Sequence, residues 1–60
     1  MSYNISLKLK SQFDMIHIYK VKSYGIEEEY GFFKIICKNI YRFALSDILS
    51  MEIEEVENES

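Results

Sequence analysis

The chain has 60 residues and a net charge of −3; 48% of them are hydrophobic, and there is one Cys, one His, no Pro and no Trp. A single Cys cannot close an internal disulfide, one His with one Cys falls short of a structural zinc set, and so few convergent polar groups leave little for a catalytic centre. A domain this small is marginally stable alone, so apolar surface left over after folding is expected to be covered in a homodimer.

Residues 3–10 alternate without a fault. Tyr3, Ile5, Leu7 and Leu9 share one face and Asn4, Ser6, Lys8 and Lys10 the other, which predicts a half-buried strand. Ser11-Gln12 interrupts it. Residues 14–24 are strand-like, but the phase slips: Ile16 and Ile18 are apolar at even positions, Tyr19 and Val21 at odd ones. A bulge near Ile18-Tyr19 places all four inside and leaves Lys20 and Lys22 outside.

Residues 24–31 contain the chain's two glycines, Gly25 and Gly31, around Glu27, Glu28 and Glu29, and read as an exposed hairpin tip. Residues 32–38 form a third strand with Phe33, Ile35 and Cys37 inward and Phe32, Lys34 and Ile36 outward. A connection through Lys38-Asn39-Ile40 then pairs Cys37 with Tyr41, Ile35 with Phe43 and Phe33 with Leu45. Over residues 46–57 two readings compete. One is a single 3-10 turn and a last strand resuming at Met51-Glu52-Ile53-Glu54; the other is a helix carrying Leu45, Ile48, Leu49, Ile53 and Val56. The alternation favours the strand. Residues 1–57 make a single small β domain, and residues 58–60 a frayed acidic tail.

The expected fold is therefore all-β, a small five-stranded antiparallel barrel with one 3-10 turn before the last strand. The alternative is a β-meander with a C-terminal helix, in the α+β class. The order of elements resembles that of SH3-like small barrels, with Phe43-Ala44-Leu45-Ser46-Asp47-Ile48 at the strand-to-turn corner. The resemblance covers the topology of most of the chain. No SH3 ligand-binding motif is present, so peptide recognition does not come with it. If the last strand closes against the first, Glu52 and Glu54 lie near Lys8 and Lys10.

Charge is distributed unevenly: residues 1–26 carry +3 and residues 27–60 carry −6. The only nucleophile pair worth naming is Cys37 with His17, and Cys37 sits in an apolar run that marks it as a core residue. No catalytic, cofactor-binding or metal-binding residues are assigned, and the chain is expected not to be an enzyme. No apolar run approaches the ~18–20 residues of a transmembrane helix, and Met1-Ser2-Tyr3-Asn4 does not begin a signal peptide. A cytoplasmic location without membrane partners is expected.

The leading functional expectation is a protein–protein interaction module: an inhibitor or antagonist of a larger intracellular protein, of the kind phages and mobile elements encode. It would act as a homodimer by steric or charge-mimicking blockade. The partner-binding candidates are Tyr24, Glu27, Glu28, Glu29, Tyr30 and Phe32, aromatic anchors around an acidic tip; Phe32 and Ile36 are the dimer-seam candidates. The alternative is a nucleic-acid-binding small barrel. It would use Lys8, Lys10, Lys20, Lys22, Lys34 and Arg42 with Tyr24, Tyr30 and Phe32 as stacking surfaces, against the handicap of an acidic domain.

Overall fold

The alternation of residues 3–10 becomes strand β1 (Ser2–Leu9). In the computed structural model, which describes residues 1–57, its apolar face forms the centre of the core: Ile5, Leu7 and Leu9 are buried. Strand β2 (Ile16–Val21) runs antiparallel to it, with Leu7 opposite Ile16, Ser6 opposite His17, Ile5 opposite Ile18 and Tyr3 opposite Val21. Tyr19 and Lys20 together stand opposite Asn4, so the slip in apolar phase is absorbed by a bulge, one residue later than expected. Ile16, Ile18 and Val21 stay on the core side. Tyr19 does not: it keeps the outward phase of His17, and the two rings stack with centroids 6.4 Å apart.

Lys20 takes the strain of that bulge, with a φ of 59°. The left-handed region costs an L-residue about 1–2 kcal/mol. Lys20→Gly is expected to raise stability by about 0.5 kcal/mol, because relief of strain outweighs the added freedom of the unfolded chain. Lys20→Val is expected to lower it, since a β-branched residue tolerates positive φ least. Urea midpoints of the two variants check both signs.

The strand expected over residues 14–24 is two strands, and the chain has six rather than five. At Lys22, whose N–H donates to the Ile36 carbonyl at 2.8 Å, the chain leaves the first sheet and enters the second as β3 (Ser23–Glu27). Strands β4 (Phe32–Ile36) and β5 (Ile40–Ala44) complete it. The result is two three-stranded antiparallel sheets, β2-β1-β6 and β3-β4-β5, where β6 is Ile48–Val56. One alternating segment can serve two sheets because a bulge and a bend turn the backbone without changing which face is apolar.

The β4–β5 register differs by two residues from the one expected. Phe33 faces Phe43, Ile35 faces Tyr41 and Ile36 faces Ile40, around a Cys37-Lys38-Asn39 turn in which the Cys37 N–H donates to the Asn39 carbonyl at 2.9 Å. An even shift preserves the faces, so the inward set is unchanged apart from the pairings of Cys37 and Leu45.

The competition over residues 46–57 resolves as a 3-10 turn, η1 (Leu45–Asp47), followed directly by β6. Strand β6 lies along the whole of β1, from Leu9 opposite Ile48 to Ser2 opposite Val56, with an irregularity at Leu49. There is no C-terminal helix among the described residues. The frayed tail expected at residues 58–60 lies outside them. Strands β5 and β6 do not pair, so the sheets do not close into a barrel.

The corner between β5 and β6 is fastened at both ends. The Leu45 N–H donates to the Gly31 carbonyl at 2.9 Å, and the Lys10 N–H to the Asp47 carbonyl at 2.7 Å. The Asp47 carboxylate accepts the Ser11 N–H at 3.0 Å and the Ser11 hydroxyl at 2.6 Å. Ile5, Leu7, Leu9 and Val21 from one sheet meet Phe33 and Ile35 from the other in a single core.

The expected approach of Glu52 and Glu54 to Lys8 and Lys10 does not occur. The register sets Glu52 opposite Ser6, and Glu54 opposite Asn4, whose side-chain amide donates to it at 3.3 Å. Lys8 turns instead to the β1–β2 loop, donating to the carbonyls of Gln12 and Phe13 with its ammonium 5.4 Å above the Phe13 ring. No helix among the described residues is long and apolar enough to cross a membrane.

Candidate functional site

The acidic tip is built by a tight hairpin. Gly31, at φ 73°, closes the loop after Glu28-Glu29-Tyr30, and the Glu27 carbonyl accepts the N–H groups of Tyr30 and Gly31 at 3.1 and 2.9 Å. Gly25, by contrast, is an ordinary strand residue opposite Lys34. The tip proper is thus residues 28–31, shorter than the sequence suggests. Glu28, Glu29 and Tyr30 stand free on it, Tyr30 with 69% of its surface exposed.

Glu27, Tyr24 and Phe32 play different parts from these three. Glu27 Oε1 accepts from Arg42 Nε at 3.0 Å, the one salt bridge among the described residues; it is half exposed and worth roughly 0–1 kcal/mol. Tyr24 belongs to the inner face of β3, where its ring meets Tyr3 edge-on at 5.0 Å and Phe33 at 6.1 Å. Its ring packs there, and 41% of the residue stays exposed. Phe32 begins β4 on the outer face, half-buried, opposite Ala44. The structure adds one residue that the sequence reading left out: Ile26, exposed beside Glu27, Glu28, Glu29 and Tyr30 along a shallow depression at the tip. Its alternation with Tyr24 was the available signal, masked by the reading of the whole segment as loop.

The two seam candidates share the outer face of β4. Ile36 is half-buried opposite the exposed Ile40, and Lys34 separates it from Phe32. Cys37 and His17 are not brought together. Cys37 packs against the core from the β4–β5 turn, its thiol 3.4 Å from the Asn39 carbonyl, while His17 shares a 3.0 Å hydrogen bond with the Ser6 hydroxyl on the outer face of the other sheet. That outer face forms a second shallow groove, with Asn4, Ser6, His17, Tyr19, Glu52 and Glu54 around it. Among the described residues no three His, Cys, Asp or Glu side chains are placed to hold a metal ion.

The basic residues do not form one face. Lys8 lies on the outer side of the first sheet and is engaged by its own loop; Lys34 and Arg42 face each other on the outer side of the second. Lys20 sits at the bulge and Lys22 at the crossing between sheets. Compared with known families, curated proteins and solved structures, the chain matches none.

Proposed function

We propose that this chain is a small non-enzymatic protein–protein interaction module, an inhibitor or antagonist of a larger intracellular protein of the kind that phages and mobile elements encode. The observation that carries the reading is the tip. Ile26 and Tyr30 are exposed beside Glu28 and Glu29, and neither carboxylate has an ion-pair partner among the described residues. Apolar and aromatic anchors ringed by unspent charge suit a basic, concave surface on a partner. Blockade is steric or charge-mimicking. The scaffold itself is read as SH3-like in layout; the support is a segment shared between two sheets and a 3-10 turn before the last strand.

The dispersal of the lysines over both sheets weighs against the nucleic-acid alternative, since tracking a phosphate backbone requires a continuous basic groove. Glu28→Lys/Glu29→Lys tests the choice, with Glu27 left in place to keep its bond to Arg42. In a pull-down from the cells that express the protein, the partner retained by the wild type is expected to be lost with this variant, while the melting curve stays within about 0.5 kcal/mol of wild type. Equal capture by both proteins removes the tip from the interface. Salt-sensitive, saturable binding of labelled DNA or RNA by the wild type would replace the reading with the nucleic-acid one.

A further inference from the structure

Each sheet has two edge strands, β2 and β6 in the first and β3 and β5 in the second, and the edges of β5 and β6 fit each other. Strand β6 is paired on one side only, and its core-facing Met51 and Ile53 lie opposite the fully buried Leu7 and Ile5. Both nevertheless remain 38% exposed, because the second sheet does not reach them. Strand β5 is open in the same way: Tyr41, opposite the fully buried Ile35, is 39% exposed. Unpaired edges with uncovered apolar side chains are surfaces that recruit another strand.

We propose that copies of this chain assemble head to tail, β5 of one copy pairing antiparallel with β6 of the next. Facing residues in an antiparallel pair share a face, so the register can be tested residue by residue. With Phe43 opposite Met51, Tyr41 meets Ile53 on the core side and Arg42 meets Glu52 on the outer side. Two apolar pairs and one opposite-charge pair fall into place together. Moving the register by two in one direction sets Tyr41 against Glu55; in the other it sets Arg42 against Ser50 and loses the charge match. Arg42 holds Glu27 through Nε alone, leaving the terminal nitrogens of its five-donor fork for Glu52 of the neighbour.

Two competitors use the same edges and both fare worse. Within one chain, β5 and β6 would form a hairpin in this same register, but η1 occupies the connection and its bonds to Gly31, Lys10 and Ser11 hold the two edges apart. The complementarity is therefore available only between copies. Self-pairing of β6 about Ile53 sets Glu52 against Glu54, and pairing about Glu52 sets that residue against itself. Pairing about Met51 avoids those contacts but leaves the β5 edge uncovered. Because the two surfaces of the contact differ, each copy offers one to each neighbour, and the assembly is a closed ring or a filament rather than a two-fold dimer.

The proposal is independent of the tip reading. Native mass spectrometry and light scattering over a concentration series decide it. Wild type is expected above the 7.2 kDa of one chain, and Arg42→Glu and Glu52→Arg are each expected to fall to that mass while keeping their β-sheet circular dichroism. An equimolar mixture of the two is expected to reassemble, since each reversed charge meets its opposite on the other protein. The double variant in one chain reassembles for the same reason, and it also serves if either single variant fails to fold. A wild type that stays at one chain at its highest soluble concentration overturns the proposal. So does an assembly that Ile36→Asp dissolves but Glu52→Arg leaves intact, which would assign self-association to the Phe32–Ile36 face.

Discussion

Phe33→Ala is expected to leave a substantial fraction of the chain unfolded in water, an effect that no surface substitution should match. Phe33 is 2% exposed and is the bulkiest of the fully or nearly buried side chains. It sits on the central strand of the second sheet, flanked by Ile26 and Phe43 and touched by the Tyr24 ring, and it meets Ile5, Leu7 and Val21 from the first. Truncating a buried Phe costs about 3–5 kcal/mol, the cavity included. A domain of this length has a total stability of roughly 3–9 kcal/mol. The truncation therefore removes from about a third of it to all of it. Phe33→Met, which refills most of the space with a flexible apolar chain, is expected to cost about 1.5 kcal/mol. Urea titrations followed by circular dichroism measure both; equal losses for the two variants would show that volume at this site does not matter.

Asp47→Ala is expected to cost about 1–2 kcal/mol, large for a residue outside the core. Its carboxylate accepts two hydrogen bonds from Ser11, and bonds to a charged acceptor are each worth up to about 1.5–3 kcal/mol before solvent exposure is discounted. Asp47→Asn keeps one acceptor oxygen and should recover about half of the loss. The diagnostic is local. Hydrogen exchange of the Lys10 and Ser11 amides should quicken in Asp47→Ala beyond what the global loss accounts for, while the β3–β4 tip keeps its protection relative to the global value. Uniform quickening would mean that the corner does not open separately from the rest.

Alternation carried most of the fold in the sequence. Tyr3 to Lys10 reads as a strand because one face must be apolar, and the strand is there. The phase slip around Tyr19 signals a bulge, but apolarity alone misplaces it: it treats Tyr19 as a core residue, whereas an amphipathic ring with a polar tip stands outside beside His17. The passage from the first sheet to the second leaves a second phase slip, Val21 and Tyr24 both facing inward three residues apart, but it runs straight into the glycine-containing segment that reads as a loop, and so six strands read as five. The β4–β5 register was ambiguous by two for the same reason of parity. At the candidate site, Tyr30 and the glutamates were legible as a tip. The ring contacts of Tyr24 with Tyr3 and Phe33 and the bond of Glu27 to Arg42 were not, since both depend on neighbours distant in sequence.

The pairing of β1 with β6 bears on how the chain acquires its fold. The second sheet consists of consecutive hairpins, β3-β4-β5, and closes from contacts near in sequence. The first sheet needs its opening strand to find its last, Ser2 meeting Val56. Closing so long a loop is an entropic barrier that stability does not lower until the contact is made. Folding is thus bounded by ring closure of the chain, on the order of milliseconds to seconds for topologies dominated by distant pairing. On a translating ribosome β1 waits, half-partnered, until residue 56 has emerged.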